Sequence, residues 1–599
     1  MMNWAQWIAR VCVAGMTLLA VCGCGGGTTS TTTNPPPPSL TLTIIAPEGV
    51  ILSGSNWVVA GVPVFKLLAT GTGFTSATVL RWNGVAIPTQ FGSSTGLSAT
   101  VAATLVASPG TASITAYDSA ASATSSALPF GIASPAAATA GVVQMITVAP
   151  DGTPANANSL VAPSISATGR YVSFQSAATN LSAGVSSAYQ QIYERDTCIG
   201  APTGCVPTTI PISVTYDGSP VDGHNRNSSV SGDGRYVTFD SSAGNILPNT
   251  SMCSSTACVF LRDTCIGVTV GCTPQTTLIS ITADGNIANG GNPGISPDGR
   301  YVTYDSSSAN EAQNNPGGLL QVFLRDTCNG APTSCRLTTY LVSQSSGEAI
   351  GNEGSSLQVA NTGGRYVAFI SYANNLIAND TNLGDPDLYL RDTCLGASTG
   401  CVPSTTEEDV STSGTQAAGA LDTFSPASIS SNGRFLSFST LATNLVSQNV
   451  NGFGNVYLRD TCNGVASGCT PTTSLASLGN DGSIANASQD NTSISADGRL
   501  IAFASLASNL VPGDTFPSNG WKDIFVRDTC FGAGPTCKVS TVRVSVSDSP
   551  YFAQQSNAIN DYPQISADGH YVVFLSASTN YLSAPGNGYD MVYLAKTGY

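Results

Sequence analysis

The sequence predicts an all-β fold in which a small β-sandwich precedes a seven-bladed β-propeller. A phrase that joins a tight turn to an apolar strand occurs seven times, at intervals of about 65 residues, which indicates a repeat architecture. Each interval contains four strand signals, the content of one propeller blade. Alternating apolar runs stand ahead of the repeats, between residues 40 and 117, and are typical of a sandwich.

The N-terminus predicts a lipoprotein signal peptide at residues 1–23. A basic residue precedes an apolar run from Val11 to Val21, which is short for a membrane span and typical of a secretory signal. The run ends on Val-Cys-Gly-Cys, which resembles the lipobox of bacterial lipoproteins and implies lipidation of Cys24. Gly25, the residue after Cys24, is similar to the residue at that position in lipoproteins sorted to the outer membrane. We therefore expect a protein of the bacterial cell envelope, facing the periplasm or the outside, that meets the membrane through its lipid anchor only.

Composition narrows the classes of partner. The chain has 599 residues, of which 10% are charged, and a net charge of -15. A surface with few Lys and Arg argues against a nucleic-acid partner, because phosphate binding requires clusters of those residues. The length exceeds what one core supports, so several units are expected, with the propeller as a monomer.

Three segments lead into the repeats. Residues 24–39 predict a flexible tether rich in Gly, Thr and Pro, residues 40–132 the sandwich, and residues 133–141 a linker. Within the sandwich, four runs resemble the IPT/TIG family of immunoglobulin-like domains, which implies an immunoglobulin-like fold. The runs are Gly71-Thr-Gly-Phe74, Val79-Leu-Arg-Trp-Asn-Gly84, Leu97-Ser-Ala-Thr-Val101 and Pro109-Gly-Thr-Ala-Ser-Ile-Thr115.

The repeats occupy residues 142–599. In each, an Asp-Gly type turn reverses the chain into an Arg-Tyr-Val-x-Phe strand, and a third strand ends in Arg-Asp-Thr-Cys. The last repeat stops after its third strand, while residues 142–148 match a fourth strand that precedes the first repeat. We therefore expect the two chain ends to complete one blade, which removes an open sheet edge. The phrases begin at Ser166, Ser231, Ser296, Asn361, Ser430, Ser495 and Ser566.

These repeats resemble TolB-type, WD-like β-propeller repeats, whose hallmark is Ser-x-Asp-Gly-(Arg/Lys)-x-(Ile/Val)-x-Phe. The resemblance implies a propeller across residues 142–599. The chain departs from TolB in having an IPT/TIG-like domain in place of the amino-terminal domain and seven repeats in place of six. A role in the Tol-Pal system therefore does not carry over.

The cysteines predict disulfides. Fourteen of the 17 Cys follow the signal region, and twelve of them form six Cys-x6-Cys pairs between the third and fourth strands. Structural zinc sites favour closer spacing and His partners, whereas disulfides across hairpin mouths fit an oxidising compartment. The pairs are Cys198/Cys205, Cys265/Cys272, Cys328/Cys335, Cys394/Cys401, Cys462/Cys469, Cys530/Cys537 and, within one variable loop, Cys253/Cys258.

The sequence offers little for catalysis. It contains two His, of which His224 is expected to be a solvated loop residue and His570 a turn position that holds Arg in the other repeats. Neither His stands beside a Gly-x-Ser-x-Gly segment in the sequence. The Arg-Asp pair recurs in six repeats, and recurrence favours a structural ion pair over an asymmetric ligand site.

One acidic loop stands apart from the repeat pattern. Asp380, Asn382, Asp385 and Asp387 place oxygen ligands at intervals that suggest calcium, although the loop lacks the terminal Glu of an EF-hand. No other cofactor is expected.

The proposed binding residues come from the variable loops, because recognition concentrates on loops held by a rigid frame. Trp521, Tyr551, Phe552 and Tyr562 are the candidate anchors for a partner. The sequence thus favours a non-catalytic envelope lipoprotein whose propeller binds a protein. The alternative is a propeller that binds or degrades a glycan, as a lyase would, and carboxylates and aromatics converging on the central funnel would favour that alternative.

Overall fold

In a computed structural model, the chain is all-β and propeller-like. The signal peptide, Cys24 and all of the predicted tether but Ser39 lie outside the residues that the structure describes, as do Tyr551 and Phe552. The described residues are 39–47, 57–59, 64–107, 110–133, 140–182, 189–312, 315–382, 384–421, 426–448, 450, 452–511, 520–535, 537–547, 556–581 and 588–599.

In the part of the chain that the structure describes, ten strands precede the repeats and form two sheets over one core. The first sheet has the order β1-β3-β7-β6, the second β2-β10-β8-β4-β5, with β9 paired to β8. Side chains of both sheets are fully buried in the shared core, among them Leu67, Leu80, Ile114 and Phe130. The strands are β1 (Thr41–Pro47), β2 (Trp57–Val59), β3 (Phe65–Thr72), β4 (Thr78–Trp82), β5 (Val85–Ala86), β6 (Thr89–Ser93), β7 (Gly96–Val101), β8 (Gly110–Asp118), β9 (Ala123–Thr124) and β10 (Leu128–Ala133), with a 3-10 helix at Ala103–Val106.

The repeats form seven antiparallel sheets of four strands in the described part of the chain. We number them 1 to 7 and call their strands first to fourth in repeat order. The strand β11 (Gly141–Met145) comes first in the chain. Sheets 1 to 3 are β12 (Ser164–Ile165), β13 (Tyr171–Ser176), β14 (Gln191–Asp196), β15 (Thr208–Pro211); β16 (Asn225–Val230), β17 (Tyr236–Ser241), β18 (Cys258–Asp263), β19 (Gln275–Leu278); and β20 (Gly291–Ile295), β21 (Tyr301–Ser306), β22 (Gln321–Asp326), β23 (Thr338–Leu341).

Sheets 4 to 7 repeat the same order. They are β24 (Ser355–Ala360), β25 (Tyr366–Ser371), β26 (Asp387–Asp392), β27 (Ser404–Glu407); β28 (Ser428–Ile429), β29 (Phe435–Thr440), β30 (Asn455–Asp460), β31 (Thr472–Leu475); β32 (Gln489–Ile494), β33 (Leu500–Ser505), β34 (Asp523–Asp528), β35 (Ser540–Arg543); and β36 (Asn560–Ile565), β37 (Tyr571–Ser576), β38 (Met591–Lys596). One short helix, Cys253–Thr256, interrupts them. The described residues contain no helix with the length and apolar character that a membrane crossing requires.

The first and last strands of the repeat region meet in sheet 7. The strand β11 pairs antiparallel with β38 and supplies the fourth strand that the last repeat lacks, as the sequence predicts. Val142, Met145 and Ile146 are buried there, and the backbone N–H of Asp590 donates to Asn158 Oδ1 at 2.9 Å. The pairing joins segments more than 400 residues apart and covers an otherwise open edge.

Each sheet also contacts the preceding sheet through the glycine of the turn between its first and second strands. Gly234 has φ of +80°, and a Cβ added to it would overlap the ring of Tyr171 in the preceding sheet. Residues with a side chain rarely adopt this φ, and the ring of Tyr171 leaves no space for a Cβ atom. Only glycine therefore fits at this position. The same contact joins every sheet to its neighbour, and it joins sheet 7 back to sheet 1. The pairs are Gly169/Tyr571, Gly234/Tyr171, Gly299/Tyr236, Gly364/Tyr301, Gly433/Tyr366, Gly498/Phe435 and Gly569/Leu500.

The predicted disulfides are confirmed, because all seven pairs are bonded. They are Cys198–Cys205, Cys253–Cys258, Cys265–Cys272, Cys328–Cys335, Cys394–Cys401, Cys462–Cys469 and Cys530–Cys537. The cysteines of each stapled loop also lie beside an Asp, in a group that could hold a metal ion if the sulfurs were thiolates. Because both sulfurs are in the disulfide, they are not available as thiolate ligands.

The bond in sheet 6 has the same surroundings as the bond in sheet 3. Cys537 is half-buried, with its Cα 5.7 Å from that of Cys530. Its Sγ lies 3.7 Å from Arg499 Nη2 and 3.6 Å from Asp528 Oδ2.

The recurring Arg and Asp are structural, but they do not pair within the dipeptide. In sheet 3, Asp326 accepts two hydrogen bonds from Arg300 of the turn, at 2.8 and 2.6 Å, while Arg325 donates to Thr339 at 2.6 Å. Sheet 7 has His570 and Lys596 at the positions of Arg300 and Asp326, so it lacks both members of the pair.

Candidate functional site

A cavity of about 350 Å³ lies where the first strands of all seven sheets converge. Its lining is built from amides, hydroxyls, prolines and small apolar side chains. None of the described residues that line it is Asp, Glu, His, Lys or Arg. The lining residues are 161–164, 227–229, 292–294, 357–359, 426–428 and 491–492, with Tyr562 and Gln564.

The walls of the cavity are β-bulges. In five first strands, two residues are left out of the ladder with the second strand, as between Arg226 and Ser229. A bulge releases backbone groups from pairing and re-aims side chains. The first bulged residue has a left-handed backbone in each case, which Asn tolerates but Leu and Tyr rarely adopt. These residues are Asn227 (φ 51°), Asn292 (φ 48°), Leu357 (φ 55°), Asn491 (φ 49°) and Tyr562 (φ 55°).

Buried carboxyl groups behind the wall position two of the amides. The side-chain amide of Asn227 donates to Asp240 Oδ2 at 2.7 Å and to Asn292 Oδ1 at 3.1 Å, which links sheets 2 and 3. The amide of Asn292 donates to Asp305 Oδ2 at 2.8 Å. Burial raises the pKa of Asp240 and raises the pKa of Asp305 to about 7, because desolvation disfavours the ionised form.

Gln358 is a lining residue whose amide oxygen has no partner. Its Nε2 donates to the backbone oxygen of Asn292 at 2.7 Å, whereas its Oε1 is buried and has no hydrogen-bond partner. A buried amide oxygen without a partner carries a desolvation penalty. Gln358 thus holds an unpaired acceptor within the wall of the cavity.

An ion triad lies beside the cavity, between sheets 6 and 7. Lys522 Nζ contacts Asp490 Oδ2 at 2.7 Å and Asp561 Oδ2 at 2.9 Å, and the side-chain amide of Asn491 donates to Asp561. The triad fixes the bulges that carry Asn491 and Tyr562. Burial lowers the pKa of Lys522, and the two carboxylates more than offset that effect, so its pKa is raised.

The structure separates the predicted anchors. Tyr562 lines the cavity, but its predicted place in a variable loop is wrong, because it lies in the bulge of the first strand of sheet 7. Trp521 is half-buried next to Lys522 and is not part of the lining; Tyr551 and Phe552 lie outside the described residues. Sequence reasoning missed the amides of the first strands, including Gln358. Asn227, Asn292 and Asn491 each lie four residues ahead of the first residue of the turn phrase, and Gln358 lies three residues ahead of it. This alignment is the signal that could have found them.

The four predicted calcium ligands in the acidic loop of sheet 4 differ in their burial and contacts. Asp387, buried, and Asn382, half-buried, are in contact, since Asn382 Nδ2 donates to Asp387 Oδ1 at 2.6 Å. Asp380 is half-buried nearby, and Asp385 is exposed. Burial, and next the charges of Asp380 and Asp385, raise the pKa of Asp387 to about 6. The structure adds two carboxyl groups that the loop pattern did not include, namely Glu407 and Asp409.

The two His are apart from the cavity lining. His224 lies edge-on to Tyr189, with ring centroids 5.1 Å apart, and its Nδ1 accepts a long hydrogen bond of 3.4 Å from the backbone N–H of Gln190. His570 is exposed, with its Nδ1 3.2 Å from Asp568 Oδ2.

No protein-family model and no curated protein matches the sequence. Among solved structures, oligogalacturonate lyase from Vibrio parahaemolyticus is 10% identical with a TM-score of 0.38, and the match covers 77% of this chain and 98% of the lyase. An auxiliary nutrient binding protein from Bacteroides ovatus is 9% identical with a TM-score of 0.26, over 94% of this chain and 99% of that protein. Prolyl oligopeptidase B from Galerina marginata is 10% identical with a TM-score of 0.35; 84% of this chain covers 55% of that enzyme. At these TM-scores the likenesses bear on neither substrate nor activity.

Proposed function

We propose that this protein is a non-catalytic scaffold of the bacterial cell envelope, which binds a segment of a partner protein in the cavity formed by the seven first strands. The observation that carries the proposal is the lining, in which the amides and hydroxyls of the first strands lie among prolines and apolar side chains and, in the described residues, no side chain is charged. An extended peptide offers one donor and one acceptor per residue, which suits such a wall.

The same lining favours a protein over a glycan. The converging carboxylates and aromatics that would favour a glycan are not found among the described lining residues, where Tyr562 is the one aromatic. A volume of about 350 Å³ is near the lower end for ligand sites, about 300 to 1,000 Å³, and is compatible with a short extended segment.

We also propose how the sheets are arranged into domains. The seven sheets are the blades of one closed propeller, and the circuit of turn contacts from sheet 7 back to sheet 1 supports closure. The two sheets over a shared core at residues 41–133 support an immunoglobulin-like, IPT/TIG-type domain, which sets the distance between the propeller and the membrane.

Location outside the cytoplasm rests on the cysteines and the N-terminus. Seven disulfides in one chain fit an oxidising compartment, since such bonds are rare in reducing ones. Cys24, outside the described residues, supplies the lipid anchor. A Cys24→Ala variant is expected to leave the membrane fraction, and a variant that stays membrane-bound would contradict the anchor.

Photo-crosslinking in cells tests the binding proposal. A photoreactive phenylalanine analogue replaces Tyr562 in the cavity or, as a control, Val270 in the stapled loop of sheet 2, which is 87% exposed. We expect one envelope protein to crosslink from position 562 and not from position 270. The yield of the crosslink from position 562 should fall in a Gln358→Ala variant, which lacks the side-chain amide of this lining residue.

Two results would contradict the proposal. One is equal capture from both positions, which would indicate contact without a site. The other is no protein adduct from position 562 together with glycan binding that Tyr562→Ala abolishes, which would assign the cavity to a sugar.

A further inference from the structure

Sheet 4 departs from the other repeats at the outer end of its fourth strand, on the side of the variable loops. In five other sheets, a Ser follows the fourth strand and its hydroxyl accepts from a backbone N–H of the third strand. In sheet 3, Ser343 Oγ accepts from the N–H of Val322 at 2.9 Å and donates to Gln321 Oε1 at 2.6 Å. The five residues are Ser213, Ser280, Ser343, Ser477 and Ser545.

Asp409 occupies this position in sheet 4. Its Oδ1 accepts from the N–H of Leu388 at 3.0 Å, as the Ser hydroxyls do, but an ionised carboxylate cannot donate to the side chain beside it. That side chain is Asp387, the counterpart of Gln321. Two buried carboxyl groups therefore stand where other sheets form a neutral hydrogen bond.

Glu407 adds a third carboxyl group at the end of the fourth strand. Its counterpart is Leu341 in sheet 3 and Arg543 in sheet 6. Arg543 Nη1 lies 3.8 Å from Asp523 Oδ2, and Asp523 is the counterpart of Asp387. Sheet 6 thus supplies a cation from its own chain at this place, and sheet 4 supplies another anion.

Four side chains around this point each have a buried oxygen with no hydrogen-bond partner. They are Asp380 Oδ1, Asn382 Oδ1, Glu407 Oε1 and Asp409 Oδ2. Asp409 has no exposed surface. A buried carboxylate oxygen that is neither paired nor hydrogen-bonded is costly, so the arrangement indicates a missing positive ligand.

Neighbouring hydrogen bonds hold these oxygens in place. Asn382 Nδ2 donates to Asp387, which leaves Asn382 Oδ1 free, and Gln416 Nε2 donates to Glu407 Oε2 at 2.6 Å, which leaves Oε1 free. Gln416 Oε1 in turn accepts from the N–H of Thr381 at 2.8 Å. An open recess lined in part by Thr381, Glu407 and Gln416 lies beside these oxygens.

We propose that sheet 4 holds a divalent cation of the calcium class, bound by Asp380, Asn382, Asp387, Glu407 and Asp409. All of the donors are oxygens, and their number suits Ca²⁺, which takes six to eight oxygen ligands in flexible geometry. Zinc prefers nitrogen and sulfur donors, and Mg²⁺ keeps several of its waters. Asp385 of the loop pattern is exposed and is replaced in the ligand set by Glu407 and Asp409. The cation would tie the loop at Asp380–Asn382 to the fourth strand on the variable-loop face.

Calcium titration of the purified mature protein, stripped with EDTA, tests the site by calorimetry and by thermal melting. Wild type is expected to bind one Ca²⁺ with an increase in Tm, and Mg²⁺ at equal concentration to give less than a fifth of that increase. The double variant Glu407→Leu/Asp409→Ser carries the residues of sheet 3 and should lose the Tm increase, with a Tm in EDTA at least equal to that of wild type.

Two single variants serve as controls. Asp385→Asn should change the Ca²⁺ dissociation constant less than threefold, whereas Asp409→Asn, nearly isosteric, should weaken it at least 50-fold even if the double variant folds poorly. Wild type that shows no heat and no Tm increase with Ca²⁺ would overturn the proposal. Equal binding by wild type and Asp409→Asn would also overturn it, since the cation would then bind elsewhere.

Discussion

Removal of one carboxylate from a turn pair tests how the sheets are held at their stapled end. Asp326 accepts two hydrogen bonds from Arg300, at 2.8 and 2.6 Å, and one from the N–H of Cys328 at 2.8 Å. The side chain of Asp326 is 7% exposed and that of Arg300 is 30% exposed. Asp326→Ala therefore leaves a cation and a backbone N–H partly desolvated and without their acceptor.

The magnitude follows from that burial. Breaking a fully buried pair costs about 3–5 kcal/mol, and the exposure of Arg300 lets water screen part of the loss, so we expect about 2–3 kcal/mol. With an unfolding entropy of about 2.1 cal/mol/K per residue over roughly 450 residues, 1 kcal/mol corresponds to about 1 °C. Differential scanning calorimetry should thus show a decrease in Tm of about 2–3 °C.

Sheet 7 provides the matched control. Lys596 occupies the position of Asp326, opposite His570, and takes no part in such a pair. Lys596→Ala should change the Tm by less than about 0.5 °C, as surface substitutions usually do. If Asp326→Ala and Lys596→Ala gave the same Tm, the pair would not contribute to stability and the reasoning would be refuted.

Three further predictions concern the frame. Cys328→Ser/Cys335→Ser should lower the free energy of unfolding by at most about 2.5 kcal/mol, the chain-entropy value for an eight-residue loop; a larger loss in urea unfolding would contradict that origin. Because the pKa of Asp305 is raised from 3.8 to about 7, its stability contribution is complete below pH 4 and is lost as pH rises to 7. Wild type should therefore lose about 2 kcal/mol more than Asp305→Asn between pH 5.5 and pH 8, and parallel pH profiles of Tm would exclude this role. Gly234→Ala should cost at least about 2 kcal/mol more than Gly285→Ala, because both have a left-handed φ but only Gly234 faces a ring, that of Tyr171; equal melting would remove the clash from the account.

The repeat frame was predictable because local patterns determine it. Asp-Gly turns such as Asp233-Gly234, the alternation after them and the Cys-x6-Cys spacing each specify structure within a few residues. The missing fourth strand of the last repeat was visible as residues 142–148, since a strand pattern is readable wherever it stands in the chain. The structure contains both features.

The sites were less predictable because they depend on convergence. The cavity is built from bulges, and Leu357 and Tyr562 are not residue types that indicate a left-handed bulge position. Only their alignment with Asn227, four residues ahead of the turn phrase, distinguishes them from paired strand residues. Glu407 and Asp409 lie about 20 residues beyond the acidic loop and become significant only beside Leu341 and Ser343, their counterparts in sheet 3. Among the aromatic anchors, Tyr562 reaches the cavity, while side-chain type alone gave Trp521 equal weight.

The cavity and the ring of sheets around it depend on the pairing of β11 with β38, which completes sheet 7. A covalent link between these two strands tests that claim most directly. Val142 and Ala595 are register partners in β11 and β38 and are both buried. Partners across antiparallel strands have Cβ atoms close enough for a disulfide.

After mild oxidation of Val142→Cys/Ala595→Cys, mass spectrometry of the unreduced digest should identify one peptide pair joining positions 142 and 595, with the wild-type Tm retained. The control pair Thr153→Cys/Ala595→Cys, with position 153 exposed in a turn, should give no such link. Equal linking in both variants, or no link at 142 and 595, would contradict the account.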